Sequence, residues 1–373
     1  MSRLSAGPVT LFLCGDVMPG RGVDQVLPHP GDPSLREAYV RDARTYVQAA
    51  EAVNGRIGRP VRFSWPWGVA RRVLAETAPE ARVINLETGI TRSAEFAPNK
   101  GVHYRMSPGN VRCVTAGRPD VCVLANNHVL DFGHRGLEDT LAALSGAGLH
   151  WAGAGRDVGE SRQPAIVPAK RGGRVVVFAG GVPSSGIPAN WAAGVERPGI
   201  HVLPDLSEAT ATAFLEQVRA VKQPGDIVIA SLHWGTNWGY HVSDDEIGFA
   251  HRLLDGDVDV VHGHSSHHPR PIEMYRDKLV LYGCGDFIDD YEGIAGHEEY
   301  RDDLRLLYFP SVEPDTGSLL GLRMVPVQAR RMRLHPVAGP DAEWLHSVLA
   351  RISRPFGAGV GLEPGGTLVL RRD

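Results

Sequence analysis

The chain has 373 residues, 43% of them hydrophobic, and a formal charge of −4, which supplies apolar material for a sizeable core and suits one large α/β domain over residues 1–373. That charge and the lack of a long basic run argue against a nucleic-acid or membrane partner. The N-terminal apolar run at 9–14 is too short for a signal core or a membrane span, so the chain is expected to be cytoplasmic.

In chain order, the first core strand is expected at 10–14, running directly into Asp16. Residues 20–67 are rich in Pro, Gly and Arg and irregular at both ends, a substrate-facing insertion or a surface excursion, around a helical period at 38–53. A helix at 69–75 precedes a strand at 83–86 that ends on Glu87, and a strand at 121–125 enters Asn126, Asn127, His128 and Asp131, followed by a helix at 136–147. Further strands are expected at 175–179, 227–232, 258–262 and 279–282, with helices at 208–221 and 245–254. Beyond Leu304 the pattern turns to strands, LRLLYF and SLLGLRMVPV, which complete the sheets over 304–373. Cys14, Cys113, Cys122 and Cys284 show no CxxC spacing and sit beside apolar residues, as buried reduced thiols do. This succession fits two sheets packed face to face with helices outside.

Polar groups at the mouth of a buried strand are costly unless something uses them. Here they recur at Asp16, Glu87, Asn127 to Asp131, His233, and across His262 to His268. Carboxylate, amide and imidazole donors gathered on one sheet edge suit a metal site. A lone acidic residue after a strand is often a helix cap, and a lone histidine often a satisfied core residue; it is their repetition that favours a site. His262, His264, His267 and His268 are more imidazoles than one ion needs, so at least one is expected to point into the sheet or orient a ligand. His29, His103, His134, His150, His201 and His241 lack motif context and are expected on the surface or in packing.

The motifs GDVM (15–18), NLE (85–87), NNHVLDFG (126–133), HWG (233–235), GHSSH (263–267) and LYGCGDF (281–287) resemble those of the CapA family, named for poly-γ-glutamate capsule synthesis, within the calcineurin-like metallophosphoesterase superfamily. The resemblance spans roughly 9–310. It implies a four-layer α/β/β/α sandwich with one or two metal ions between the sheets. Asp16, Glu87 and His267 would hold one ion, and Glu87, Asn127, His233 and His264 the other, with Glu87 bridging. It further implies that His128 stays off the metal as an acid/base group, its tautomer held by Asp131. His297, in a loop rich in carboxylates, is the candidate for a second acid/base group.

Two departures from the superfamily bear on function. Met18 stands where ordinary members have histidine, and a thioether suits zinc and iron poorly, which favours Ca²⁺, Mg²⁺ or Mn²⁺ and leaves Zn²⁺ as an alternative. The last motif reads GDF where many relatives have GNF, so that Asp286 adds a carboxylate at the substrate site, while Trp234, Asn237, Trp238 and Tyr240 are expected to line an aromatic pocket, with core packing as the alternative. The set HWGTNWGY, HGHSSHH, YGCGDF and DDYEGI is similar to the CapA-like epimerases of lasso-peptide biosynthesis, which invert the α-carbon of a C-terminal tryptophan in a ribosomal precursor peptide. That resemblance implies a metal-dependent peptide epimerase with a precursor peptide as partner. A hydrolase of phosphoesters or γ-glutamyl amides is the alternative, and a non-catalytic binding module a third reading.

Overall fold

The computed structural model describes residues 7–169 and 173–372. The first strand, Val9–Val17, lies inside a ten-stranded sheet, parallel to Ala81–Leu86 on one side and antiparallel to Leu304–Val312 on the other. Val121–Val123 extends the sheet past Ala81–Leu86, and Leu319–Ala329 extends it past Leu304–Val312. A second sheet of six strands has Arg174–Gly181, Ile227–His233, Val260–His264 and Lys278–Leu281 running parallel.

The two-residue period of these strands assigns the layers. Leu11, Leu13, Val83 and Val121 of the first sheet pack with Val175, Val177, Ile229 and Val260 of the second in one buried cluster between the sheets. Their alternates on the first sheet, Phe12, Cys14, Ile84 and Cys122, meet the helices Arg44–Asn54, Ala70–Thr77 and Gly133–Gly146. Val176, Phe178, Val228 and Val261 meet Glu208–Val221 and Asp244–Asp255. The result is the α/β sandwich expected from the sequence, with helix, sheet, sheet and helix in succession. The four cysteines are buried and unpaired. No helix among the described residues is long and apolar enough to cross a membrane.

Element boundaries moved where local hydrogen bonds compete. The helix expected at 38–53 begins only at Arg44, because residues 33–43 close a turn in which Ala43 N–H donates to Pro33 and Leu35 N–H to Arg41. The strand expected at 121–125 stops at Val123, since Asn126 N–H turns back to the Leu124 carbonyl. The helix Gly339–Ser353, which was not expected, buries Ala342, Leu345, Leu349 and Ile352 at helical spacing against the C-terminal strands.

Parallel neighbours end on the same edge, which is where open α/β sheets place their ligands. Register then sets which side chains meet: Asp16 pairs with Asn85 and Asp286, and His233 with His264. The approach of Val9–Val17 to Asp286–Ile288 is so close that a Cβ on Gly15 would lie 1.5 Å from the Gly285 carbonyl oxygen. Gly15→Ala is therefore expected to cost about 2–3 kcal/mol by overpacking and to weaken metal binding as Asp16 and Asp286 are pushed apart. Denaturant unfolding and metal titration check both effects; a variant with wild-type stability would refute the steric account.

His201 stabilises the fold in a pH-dependent way. Its Nδ1 donates to the Ala179 carbonyl at 2.9 Å, its ring stacks on Phe214, and burial holds its pKa down at about 4 against an ordinary 6.5. As pH falls through 6.5 the unfolded chain takes up the proton while the folded one resists until about 4. The contribution is complete above the upper value and lost below the lower, about 3 kcal/mol in all. Unfolding free energies of wild type and His201→Asn, measured across this window, should converge as the solution is acidified.

Candidate metal centre

Asn85 organises the carboxylates. Its Nδ2 donates to Asp16 Oδ1 at 2.7 Å and to Glu87 Oε2 at 2.9 Å, and its own Oδ1 accepts from Asn126 Nδ2 at 3.0 Å. Asn126 Oδ1 in turn caps the turn that follows Val121–Val123, accepting from the N–H groups of His128 and Val129. The NLE and NNH motifs are thus one hydrogen-bonded frame that fixes where Asp16, Glu87, Asn127 and His128 point.

Among the described residues two groups of potential ligand atoms share Asp16: Asp16 with His233 and His264, and Asp16 with His267 and Asp286, each with its atoms within 4.8 Å of one another. Asn127 Oδ1 lies 3.2 Å from His233 Nε2, and Glu87 Oε1 lies 3.9 Å from the same nitrogen. Asp16, rather than the expected Glu87, is common to both groups, and Asp286, expected against substrate, stands in one of them.

The residues fit a divalent cation. Asp16 Oδ2 and Asp286 Oδ2 are buried and have no hydrogen-bond partner among the described residues, a costly arrangement unless a cation faces them. Burial and then the charge of Asp286 push the Asp16 carboxyl up to about 7, and burial and then Asp16 drive Glu87 well above its ordinary value. Burial first, and then the neighbouring His128, His267 and Lys100 for His233, and His233 and His262 for His264, keep both imidazoles strongly biased to the neutral form a metal requires. The group around His267 is the richer in oxygen and better suited to Mg²⁺, Mn²⁺ or Ca²⁺. Met18 is fully buried, its sulfur 4.0 Å from the Tyr291 hydroxyl.

Of the remaining histidines, His262 points into the sheet interior and donates to the Cys14 carbonyl at 2.8 Å, tying the two sheets together. His268 accepts from Gly239 N–H and packs on Tyr240 and Tyr300. Between His264 and His267, Ser265 has φ 105°, a conformation costing about 1–3 kcal/mol in a non-glycine residue; its buried hydroxyl has no partner among the described residues.

His128 stands apart from the ligand groups. Its Nδ1 faces Asp131 Oδ2 at 2.6 Å and its Nε2 lies 3.8 Å from Glu87 Oε1. Burial holds its pKa at about 4 despite the attraction of Asp131, so the ring is neutral at pH 7. Asp131 is fixed by Tyr104 N–H at 2.7 Å and by Lys100, whose ammonium also reaches the Asn127 carbonyl. Glu87, Lys100, Asn127, His128, Asn237, Ser265, His267 and Tyr291 line one cavity of about 240 Å³. His267, which lines the same cavity, is held by its own carboxylate, Asp286, at 2.9 Å.

Other expected substrate contacts divide. Asn237 is exposed and lines the cavity, its carbonyl accepting from His267 N–H. Trp238 packs on His267, and Tyr240 on His268. Trp234 does not line a pocket: it is fully buried, its Nε1–H donates to the Tyr282 carbonyl, and its ring packs on Tyr282 and Phe249, because that strand position faces the helical layer. His297 is stacked on Trp238, ring centroids 3.8 Å apart, and is not among the residues lining the His128 cavity. Sequence reasoning missed Lys100, which no motif marks, Ser265, which lies within GHSSH and was passed over for its histidines, and Tyr291, which lay unread in the DDYEGI segment.

The sandwich and its edge define an α/β protein with clustered ligands for a divalent ion between two sheets. Residues 10–291 match the family model described as "Bacterial capsule synthesis protein PGA_cap", and the chain belongs to that family. It is 54% identical over 361 residues to a protein of Mycobacterium tuberculosis named "Probable polyglutamine synthesis accessory protein", a match covering 96% of this chain and 95% of the relative. It is also 26% identical to the "PGA biosynthesis protein CapA" of Bacillus subtilis, over 74% of this chain and 62% of that one, and 24% identical to the "Capsule biosynthesis protein CapA" of Bacillus anthracis, over 76% and 60%.

Proposed function

We propose that the chain is a metal-dependent enzyme that moves a proton at the α-carbon of a peptide, epimerising that residue. The observation that carries this reading is the pair of carboxylate-held imidazoles, His128 with Asp131 and His267 with Asp286, facing one cavity. Inversion needs an acid/base group on each face of the carbon. Neutral His128, its Nδ1 held by Asp131, keeps Nε2 free to take the α-proton, and His267 would return a proton on the other face, a reading in which the single ion sits with Asp16, His233 and His264 and the His267 imidazole stays off the metal. This role passes to His267 from His297, which the stack on Trp238 holds outside the cavity. A divalent ion held by Asp16, His233 and His264, with Glu87 and Asn127 beside them, would supply positive charge for the oxygen of the reacting carbonyl. Lys100 fixes Asp131 and so keeps the His128 tautomer constant.

The names of the relatives, which speak of polyglutamine, PGA and capsule synthesis, suit a second reading in which the chain serves such a pathway, here as a metal-dependent hydrolase of a γ-glutamyl amide. Incubation in D₂O with Mn²⁺ or Mg²⁺ separates the two. For a ribosomal precursor peptide ending in tryptophan, the epimerase reading expects uptake of a single deuteron and no cleavage. Chain scission of γ-linked polyglutamate, with no deuterium entering any candidate peptide, would replace it with the hydrolase.

A further inference from the structure

Two tyrosines that carry no proton in the proposed reaction pack against its two imidazoles. The Tyr104 ring meets His128 with centroids 4.5 Å apart and planes at 88°, and the Tyr291 ring meets His267 at 5.1 Å and 78°. Perpendicular ring contacts at these separations are attractive and hold an angle. The two phenols are then joined to each other, the Tyr104 hydroxyl donating to the Tyr291 oxygen at 2.8 Å. Burial, opposed by the Arg21 charge, raises both phenols well above their ordinary range, so each keeps its proton. The Tyr291 proton itself meets only the Met18 sulfur, at 4.0 Å. Among the described residues, the bond from Tyr104 is therefore the one firm polar contact of that hydroxyl.

Arg21, from the irregular segment 20–67, braces the pair. Its buried guanidinium lies over the rings of Tyr46 and Tyr104, 3.9 and 4.3 Å from their centroids. Nε and Nη2 grip Asp290, and Nη1 grips Glu37. With all three nitrogens engaged, the cation is a strut and offers nothing to a ligand. The Gly22 N–H adds a bond to Asp290 at 2.7 Å, which fixes the backbone next to Tyr291. Arg21 has φ 44°, and a non-glycine residue stays in that region where its surroundings over-determine it. The geometry points to Tyr104 and Tyr291 as positioning residues: the bond between their hydroxyls, braced by Arg21, sets where the His128 and His267 rings stand relative to one another. This gives a use to the 20–67 segment and to the tyrosine of DDYEGI. Its kinetic consequence rests on the proposed function; the coupling of the two rings does not.

Tyr104→Phe and Tyr291→Phe keep both rings and delete one hydroxyl each. The readout is the ¹³C–¹H spectrum of the full chain, labelled at histidine, in Mg²⁺ buffer, with the His128 and His267 ring signals identified by their loss in His128→Ala and His267→Ala. Each variant should move the signals of both imidazoles, including the one that its own ring does not touch. Tyr104→Phe should thus shift His267, and Tyr291→Phe should shift His128. The double variant should shift no further than either single one, because each removes the same bond. Packing alone predicts the opposite: shifts confined to the adjacent imidazole, or adding in the double variant, overturn the proposal. With the tryptophan-ending precursor peptide in D₂O, both single variants should lower kcat for inversion by about ten-fold or more at unchanged KM, the scale of a misplaced reacting group. Deuterium uptake should fall less, since one imidazole can exchange the proton while inversion needs both in place. Undiminished inversion in both variants of an active enzyme also overturns the proposal. Coupled shifts in a protein whose wild type exchanges no α-proton uphold the brace and sink the epimerase reading alone.

Discussion

Asp16→Asn is expected to raise the melting temperature of the metal-free protein and, in the same variant, to remove the stabilisation that Mn²⁺ or Mg²⁺ confers on wild type. The two effects have one origin. Asp16 pairs in register with Asp286 and is bridged to Glu87 through the Asn85 amide, all of it buried. Without a cation these carboxylates repel one another in a low-dielectric site, and burial followed by the Asp286 charge accounts for the raised Asp16 pKa. Asparagine keeps an oxygen for the Asn85 donor and removes the charge. With an ion present the balance reverses, because Asp16 is the ligand shared by both groups. Wild type should gain about 2.7 kcal/mol at a metal concentration one hundred times Kd, and the variant little or nothing. Thermal melts of both proteins in chelator and in metal should therefore cross. Parallel curves would remove Asp16 from the centre.

His128→Ala and Asp131→Asn are expected to suppress α-proton exchange by about 10²-fold or more, the usual scale for a positioned acid/base group, while the metal-induced rise in melting temperature stays intact. The separation follows from the geometry. His128 belongs to neither ligand group, and its tautomer depends on Asp131, whose carboxylate is held by Tyr104 N–H and Lys100. In Asp131→Asn the imidazole keeps its place and loses the negative charge that fixes its tautomer, so a pH profile should show exchange falling without a change in substrate affinity. Lys100→Met should give an intermediate loss for the same reason. Equal loss of exchange and of metal-induced stabilisation in His128→Ala would place His128 among the ligands and refute the division of roles.

Much of the architecture was legible because a strand buried on both faces shows itself as an apolar run. Val83 to Leu86, Val175 to Ala179 and Ile227 to Leu232 were found that way. The polar residues that end these runs were legible too, since nothing apolar explains Asp16, Glu87, Asn127, His233 or His264 at a strand mouth. Lys100 was not, because it lies in a loop with no period or flanking motif and acquires meaning only where its ammonium meets Asp131 and the Asn127 carbonyl. Trp234 was misassigned for the opposite reason: its neighbour His233 faces the site, and alternation along the strand sends the indole into the helical layer instead.

The sequence by itself thus determined the layers, the edge that carries the chemistry and the kinds of group placed there, since burial period and residue type are local properties. Only the tertiary structure decided which potential ligands come together, that Asp286 joins Asp16, that His262 ties sheet to sheet, and that His267 lines the His128 cavity while His297 stacks on Trp238. Those depend on strand register and on contacts between residues more than a hundred positions apart, and register between distant strands is set by the packing of the two sheets as a whole.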